Sequence, residues 1–242
     1  MKAFVNCSEP AKLETHLLFQ KKFSSVKPEA LSVCYALAEN TFAVSQTDLN
    51  FAPKKIQLNN QALLSCGEII ENTQVKIFQP NADGVGEIHI AGQCTFDHFL
   101  DNKDYLIDGF YPTGDLGLIQ DKQLYITGRK KDLIIVNGKN IYPQDIEFIA
   151  SKNPHVYPGR AVCFGIINLE VGSEEIIVQV EPALNVDHQN LIIELRKSIE
   201  LEVGILPKQV EIVPYMSLVK TSSGKISRSR NKELFLERNP IC

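Results

Sequence analysis

The chain has 242 residues, of which 44% are hydrophobic and 22% are charged, a composition typical of a globular protein and not of a disordered one. Its net charge of −4 gives no general attraction for nucleic acid or an anionic membrane surface. No stretch reaches the roughly 20 apolar residues of a membrane span, and residues 1–7 lack the apolar core of a signal peptide. The six cysteines form no Cys-x-x-Cys pair, which makes a zinc site or a disulfide framework unexpected. These features predict a cytoplasmic protein with reduced, mostly buried thiols.

In the first half of the chain, the spacing of apolar residues predicts one helix and several strands. The helix covers residues 12–23, with Leu13, Leu17 and Leu18 on its apolar face. The short run at 4–6 also has the composition of a strand. Alternating apolar and polar residues predict further strands at 75–78, 86–90 and 124–126.

In the second half, strands and helices alternate. The pair Asn137-Gly138 follows an apolar run and predicts a hairpin, and Pro143 predicts the first residue of a helix. A second helix is expected over residues 187–203, with Leu191, Leu195, Ile199 and Val203 on one face. Further strands are predicted at 161–167, 176–180 and 210–213.

This change in pattern predicts two domains of α/β (α+β) class. Hairpin strands dominate before residue 128, and strands alternate with helices after residue 132. The polar stretch between them suits a linker. We therefore expect domains at 1–130 and 131–242.

Five short motifs occur in a fixed order along the chain. The most informative are Tyr-Pro-Thr-Gly-Asp-Leu-Gly at 111–117 and Thr-Gly-Arg-Lys-Lys-Asp-Leu-Ile at 127–134. Taken alone, Thr-Gly-Asp is typical of an ordinary turn, and Arg129 of a solvated surface charge. The other three motifs lie at 35–39, 140–147 and 220–228. Their combined order, more than any one motif, points to a function.

Together these motifs resemble the adenylate-forming superfamily of acyl-CoA synthetases, luciferases and peptide-synthetase adenylation domains. The resemblance covers nearly the whole chain. Within it, residues 128–147, 6–10 and 35–41 are most similar to the fatty acyl-AMP ligases. The resemblance implies that 1–130 is the end of a large AMP-binding domain with a β-rich subdomain, and that 131–242 is a small mobile domain. Extra polar sequence after Thr41 lies where those ligases carry an insertion, although here it is short.

The reaction that the resemblance implies has two steps. A fatty acid carboxylate attacks the α-phosphate of ATP, which gives acyl-AMP and pyrophosphate. The acyl group then passes to the phosphopantetheine thiol of an acyl carrier protein. The implied cofactors are ATP/AMP and Mg²⁺. The alternatives are an acyl-CoA ligase of the same superfamily and a catalytically silent remnant that binds a nucleotide or a carrier protein.

The resemblance also implies roles for individual residues, each with a simpler alternative. Tyr35 would otherwise be a core tyrosine, Lys131 a solvated lysine and Lys225 part of a mobile basic loop. The implied roles are Tyr35 as the aromatic on adenine, Glu39 as the Mg²⁺ carboxylate, Asp115 as the acceptor of both ribose hydroxyls, Arg129 as a ribose contact, Lys131 as the hinge and Lys225 as the catalytic lysine.

The chain departs from the family pattern in several places. Cys7 and Ala36 stand where the family has glycine, and their added bulk is expected to crowd the nucleotide. Residues 93–98 lack the family's usual glycine-containing turn. A phosphate-binding loop of the family's type is also missing, because the family places that loop and most of the acyl tunnel ahead of the position matching Met1. We therefore expect a partial enzyme that needs an N-terminal portion as its partner.

Overall fold

A computed structural model describes residues 3–58, 61–96 and 105–239. The chain divides into two compact units, Met1–Lys130 and Lys131–Cys242. Its helices and sheets confirm the predicted mixed α/β class. Within the described ranges, no helix is long and apolar enough to cross a membrane.

The described residues of the first unit form a nine-stranded sheet and one α-helix. The helix is α1, Leu13–Lys22. The strands are β1 Phe4–Asn6, β2 Leu31–Ala36, β3 Ala43–Gln46, β4 Lys55–Leu58, β5 Gln61–Ile69, β6 Thr73–Phe78, β7 Gly86–Gly92, β8 Tyr111–Gln120 and β9 Gln123–Arg129. The sheet order is β1-β2-β3-β5-β9-β8-β7-β6, with β4 paired to β5. Strand β1 runs parallel to β2, and the other pairs are antiparallel.

Strands β8 and β9 position the predicted nucleotide residues. The strands predicted at 75–78, 86–90 and 124–126 lie within β6, β7 and β9. Strand β8 was not predicted, because its Thr-Gly-Asp motif is typical of a turn. In the sheet, β8 pairs with both β7 and β9, and this pairing fixes the motif in the middle of the unit.

The predicted apolar face of α1 is right at Leu13 and wrong at Leu17 and Leu18. Leu17 and Leu18 are 54% and 65% exposed, whereas His16 is buried. The helix packs through residues at intervals of three, Leu13, His16 and Phe19. Leu13 contacts the core of the first unit, His16 is buried, and Phe19 packs edge-on against Phe4 of β1. In a helix this short, residues spaced by three and residues spaced by four lie on almost the same face. Contact with the sheet therefore decides which of them are buried.

The second unit combines a hairpin, a three-stranded sheet and three helices. A 3₁₀ turn at Lys130–Asp132 spans the boundary. The elements are β10 Ile134–Val136, β11 Lys139–Ile141, α2 Pro143–Lys152, β12 Val156–Asn168, β13 Ser173–Pro182, α3 His188–Val203, β14 Gln209–Ile212 and α4 Arg228–Arg238. Strand β13 pairs antiparallel with β12 and parallel with β14. Helix α3 is the crossover that the parallel pair requires.

Local sequence rules account for most of this unit. Asn137 and Gly138 have φ angles of 48° and 77°, the left-handed pair that a tight two-residue hairpin needs. Helix α3 buries Leu191, Leu195 and Ile199, as predicted. Helix α4 was not predicted, because its only buried apolar residue is Phe235 and one anchor leaves no periodic pattern.

The cysteines follow the expected trend only in part. Cys34, Cys66 and Cys163 are buried, Cys7 is half-buried and Cys94 is exposed, and all five are free. Cys242 lies outside the described residues. Burial raises the pKa of the Cys66 thiol to about 12, and the neighbouring Cys34 adds to the shift. Such a thiol is un-ionised at neutral pH and serves as a small core side chain.

Candidate nucleotide site

Asp115 is the centre of a hydrogen-bonded group in the first unit. It lies on β8 directly opposite Arg129 of β9, and only 8% of it is exposed. The Arg129 Nε–H donates to Asp115 Oδ1 at 2.8 Å, and the Tyr35 hydroxyl donates to Oδ2 at 2.7 Å. Three residues that are far apart in sequence therefore meet at one carboxylate. Both of its oxygens accept a hydrogen bond from a protein group.

The backbone around Asp115 is held by the same motif. Its N–H donates to the Thr113 hydroxyl at 3.1 Å, and that hydroxyl donates to the carbonyl of Ile88 at 2.8 Å. Gly114, between them, has a φ of 73°, a conformation that costs glycine little. The Thr-Gly-Asp sequence thus forms an irregular step within a strand, and this step turns the carboxylate toward Tyr35.

Tyr35 is part of the core as well as of the site. It is 8% exposed and packs within the main apolar cluster of the first unit. Burial strongly raises the pKa of its phenol, and the negative charge of Asp115 raises it further. The hydroxyl is therefore a fixed hydrogen-bond donor at any physiological pH. The predicted contact with adenine stays a prediction.

Glu39 lies beside this group, in the 3₁₀ turn Ala38–Asn40, and is half-buried. Its carboxylate accepts a hydrogen bond from the Tyr111 hydroxyl at the start of β8. Burial raises the pKa of Tyr111, and the charge of Glu39 and this hydrogen bond raise it further. The charges of Arg129 and Asp115 also act on this phenol. Tyr111 therefore interacts with both the predicted metal carboxylate and the predicted ribose carboxylate, which its place in the motif did not reveal.

The donor set fits Mg²⁺ carried by a nucleotide. No group of three or more histidine, cysteine, aspartate or glutamate side chains within the described residues could enclose a metal ion. Mg²⁺ in nucleotide sites commonly keeps waters and phosphate oxygens and takes only one or two carboxylates from the protein. Glu39, a half-buried carboxylate held by one phenol, meets that need.

Glu87 on β7 contacts the backbone of the Thr-Gly-Asp motif and was not identified from the sequence. Its carboxylate accepts from Lys130 Nζ at 2.8 Å and from the backbone N–H of Gly114, and it lies 3.7 Å from the buried His89 Nε2. Burial opposes its ionisation, but Lys130, His89 and the Gly114 N–H together lower the pKa of Glu87. Its position at an ordinary alternating site of a strand gave no sequence signal.

The second unit holds the other two predicted residues. Lys131 is exposed in the 3₁₀ turn Lys130–Asp132. Lys225 is also exposed, in a small closed loop: the Thr221 N–H donates to the Lys225 carbonyl at 2.7 Å, and the Gly224 N–H donates to the Thr221 carbonyl at 2.9 Å. Gly224 has a φ of 84°. This compact turn fixes the backbone of Lys225 more firmly than a mobile basic loop would.

The residues that depart from the family pattern lie near β2. Ala36 is half-buried and pairs with Ala43 of β3. Cys7, half-buried, follows β1, the parallel neighbour of β2. Of the unusual stretch 93–98, Asp97 and His98 lie outside the described residues. The expected crowding of a nucleotide by Cys7 and Ala36 stays a prediction.

Known proteins with sequences similar to this chain include several ligases. No protein-family model matches the chain. The chain is 35% identical to 2-succinylbenzoate–CoA ligase of Staphylococcus epidermidis, over 93% of this chain and 47% of the relative. It is 29% identical to the medium-chain-fatty-acid–[acyl-carrier-protein] ligase TtuA of Teredinibacter turnerae, over 96% of this chain and 44% of the relative. The chain thus spans about half the length of the curated relatives that it matches.

Two solved structures that share the fold of this chain are likewise a ligase and a synthetase. A fatty acyl-adenylate ligase from work on the E. coli and L. pneumophila enzymes superposes with a TM-score of 0.85 and 28% identity, over 98% of this chain and 48% of the other. The o-succinylbenzoate–CoA synthetase of Bacillus subtilis, solved with ATP and magnesium, shares the fold with a TM-score of 0.73 and 21% identity, over 94% and 46% of the two chains. By sequence and by fold, the relatives and structural neighbours of the chain are thus adenylate-forming ligases, and the chain corresponds to a C-terminal portion of them.

Proposed function

We propose that the chain is part of an ATP-dependent ligase that activates a fatty acid as acyl-AMP and transfers it to the phosphopantetheine thiol of an acyl carrier protein. The observation that carries this proposal is the buried carboxylate of Asp115, held by Tyr35 and Arg129 next to Glu39 and Tyr111. In this proposal, residues 1–130 are the end of the AMP-binding domain and residues 131–242 are the small mobile domain.

Asp115 and Tyr35 would bind the nucleoside. A carboxylate can accept two hydroxyl groups at once, so Asp115 suits the ribose diol. Because Tyr35 and Arg129 already donate to its two oxygens at 2.7 and 2.8 Å, a ribose must share or replace these donors. The Arg129 side chain is 55% exposed and can move away at little cost. The Tyr35 ring lies beside the same carboxylate and would face the adenine.

Glu39 would hold Mg²⁺ at the phosphates of ATP. The bound ion would neutralise phosphate charge as the fatty acid carboxylate approaches, since both reacting groups are anionic. The hydrogen bond from Tyr111 fixes the orientation of the Glu39 carboxylate. The glutamate is thereby held in place before the nucleotide arrives.

Lys225 would supply positive charge at the α-phosphate during the first step. In that step the carboxylate oxygen forms a bond to phosphorus, and pyrophosphate leaves with the bonding pair. A preorganised cation stabilises the negative charge that gathers at this phosphorus. Lys131 would be the hinge about which the small domain turns before the thiol attacks the acyl carbonyl and AMP leaves.

Two kinds of relative bear on the acyl acceptor. TtuA is named as an acyl-carrier-protein ligase, and the chain shares the fold of a fatty acyl-adenylate ligase at a TM-score of 0.85. The second candidate, an acyl-CoA ligase, is favoured by the 35% identity to the S. epidermidis CoA ligase. The proposal takes the carrier protein as the acceptor because of the similarity at residues 128–147.

The test is fatty-acid-dependent exchange of pyrophosphate into ATP, measured with and without an added N-terminal portion from a related fatty acyl-AMP ligase. We expect exchange only in the completed enzyme. Acyl transfer is then measured with holo-carrier protein and with CoA as competing acceptors. Acyl-CoA as the sole product would favour the second candidate. Absence of exchange in every completed enzyme would overturn the proposal and leave a nucleotide- or carrier-binding remnant.

A further inference from the structure

Arg228 in the second unit donates three hydrogen bonds to carboxylates, and none of the roles above uses it. Its Nε and Nη2 groups donate to the two carboxylate oxygens of Glu147 at 2.8 and 2.6 Å. Its Nη1 group donates to Asp132 Oδ2 at 2.7 Å. Paired, two-point contact of this kind is the strongest arrangement that a guanidinium makes with a carboxylate.

These contacts join segments that are distant in sequence. Asp132 ends the 3₁₀ turn that contains Lys131, and Glu147 lies on α2. Glu147 Oε1 also accepts the backbone N–H of Cys163 on β12 at 3.0 Å. Arg228 is the first residue of α4. One guanidinium thus connects the proposed hinge, the first helix of the unit and the start of its last helix.

The network is well shielded from water. The side chains of Arg228, Asp132 and Glu147 are 25%, 17% and 16% exposed. Burial by itself lowers the pKa of Arg228, but the hydrogen bonds and charges of Glu147, and then of Asp132, outweigh it and raise the pKa. Removal of the guanidinium would leave two largely buried carboxylates without their cationic partner, which is costly. The network therefore resists being pulled apart.

The loop that contains Lys225 is attached to the same point. The Ser227 N–H donates to the Val219 carbonyl at 3.0 Å, and Asn231 of α4 bonds both the N–H and the carbonyl of Val219 at 3.0 Å. These bonds close the loop at its base, and Arg228 directly follows that base. The position of Lys225 relative to the rest of the unit is therefore set by where α4 begins.

We propose that Arg228 is a positioning residue for Lys225, fixing the base of the lysine loop to Asp132 beside the hinge and to Glu147 on α2. The inference rests on the proposed catalytic role of Lys225. Because Asp132 directly follows Lys131, rotation at the hinge would move the loop and α2 together as one rigid body. A lysine on an exposed turn would then reach the α-phosphate with a defined position, and displacement by about 1 Å can cost a factor of 100 in rate.

The experiment is a double-mutant cycle in the completed enzyme. Adenylation is measured for Arg228→Met, Lys225→Ala and the double variant, with Arg230→Met as the matched control. Arg230 lies on the same helix, but its pair with Glu233 is exposed by 52% and 58%. We expect Arg228→Met to lower kcat about tenfold or more with little change in the KM for ATP. Arg230→Met should have no effect.

The cycle separates positioning from general damage. If Arg228 acts through Lys225, the double variant is no slower than Lys225→Ala alone. Arg228→Lys, which keeps the charge but not the two-point contact, should lie between wild type and Arg228→Met. Multiplicative losses in the double variant, or full activity in Arg228→Met, would overturn the proposal.

If activity is lost for another reason, hydrogen exchange on the 242-residue chain still tests whether Arg228 anchors the lysine loop. We expect Arg228→Met and Glu147→Gln to speed exchange of the amides at 219–227 about tenfold while α3 stays protected. Unchanged exchange at 219–227 would refute the anchoring. If Lys225→Ala leaves adenylation intact but exchange responds as expected, the proposed role of Lys225 has failed and the anchor itself stands.

Discussion

Removal of the Asp115 carboxylate should destabilise the first unit mainly through the group that it leaves behind. In Asp115→Ala, the buried Tyr35 hydroxyl loses the acceptor that lies 2.7 Å away. A buried donor without its partner costs about 1–3 kcal/mol. The Arg129 guanidinium is 55% exposed and can turn to water, so loss of its ion pair adds at most about 1 kcal/mol. We expect a total loss of about 1–4 kcal/mol.

The variant Tyr35→Phe, made alone and in combination with Asp115→Ala, tests whether the orphaned hydroxyl causes this loss. Alone, Tyr35→Phe should cost about 1 kcal/mol, because it removes a hydrogen bond but leaves the carboxylate paired with Arg129. In the double variant there is no orphaned hydroxyl. It should therefore be more stable than the sum of the single losses by about 1–2 kcal/mol.

The assay is urea denaturation combined with hydrogen exchange at the amides of β8 and β9, so that the first unit is followed separately from the second. Asp83→Ala, at an exposed turn of the same unit, is the matched control and should change stability by less than about 0.5 kcal/mol. Strict additivity of Asp115→Ala and Tyr35→Phe would show that the two groups do not depend on each other, and that the Tyr35 hydroxyl is not left without a partner in Asp115→Ala.

Three further predictions concern the stability of the two units and the boundary between them. Glu87→Gln should lower the stability of the first unit by about 1 kcal/mol at pH 7. Because the folded-state pKa of Glu87 is lowered, its contribution is present above the unfolded pKa. It is lost as the pH falls through the folded value, so wild type and variant should converge only once the pH is below that lowered pKa. Asp187→Ala removes the cap that accepts the Gln189 and Asn190 N–H groups; it should cost about 1 kcal/mol in urea denaturation, and an unchanged midpoint would contradict that role. Brief proteolysis should cut near 125–135 and leave a stable fragment of residues 132–242. Cutting inside 150–210 with 125–135 protected would place the boundary elsewhere.

Much of the second unit could be predicted because its signals are local. A two-residue turn at Asn137-Gly138, a helix-starting proline and an apolar stripe at intervals of three and four each depend on neighbours within about seven residues. Helix α4 could not be predicted, since Phe235 is its only buried apolar residue. Likewise, α1 was predicted but its face only in part, because only contact with β1 decides between His16 and Leu17.

In the candidate site, the order of the motifs pointed to Tyr35, Asp115 and Arg129, and the sheet brings the three together. What holds them could not be predicted. Glu87 occupies an ordinary strand position, and Tyr111 begins a motif that does not reveal its partner. Their partners lie 43 and 72 residues away by residue number. Arg228 stood within a recognised motif, but its partners Asp132 and Glu147 become its neighbours only when the second unit folds. Long-range pairs of single charges leave no periodic trace in a sequence.

We propose that this chain supplies the adenylation lysine and the hinge of an adenylate-forming ligase, and separate rates for the two half-reactions are the sharpest test of that proposal. In the completed enzyme, Lys225→Ala should slow acyl-AMP formation by a factor that corresponds to about 3 kcal/mol or more, while transfer from preformed acyl-AMP to the thiol stays near the wild-type rate. Lys131→Pro should do the reverse, because a fixed φ hinders rotation. Equal slowing of both half-reactions by Lys225→Ala would contradict the account.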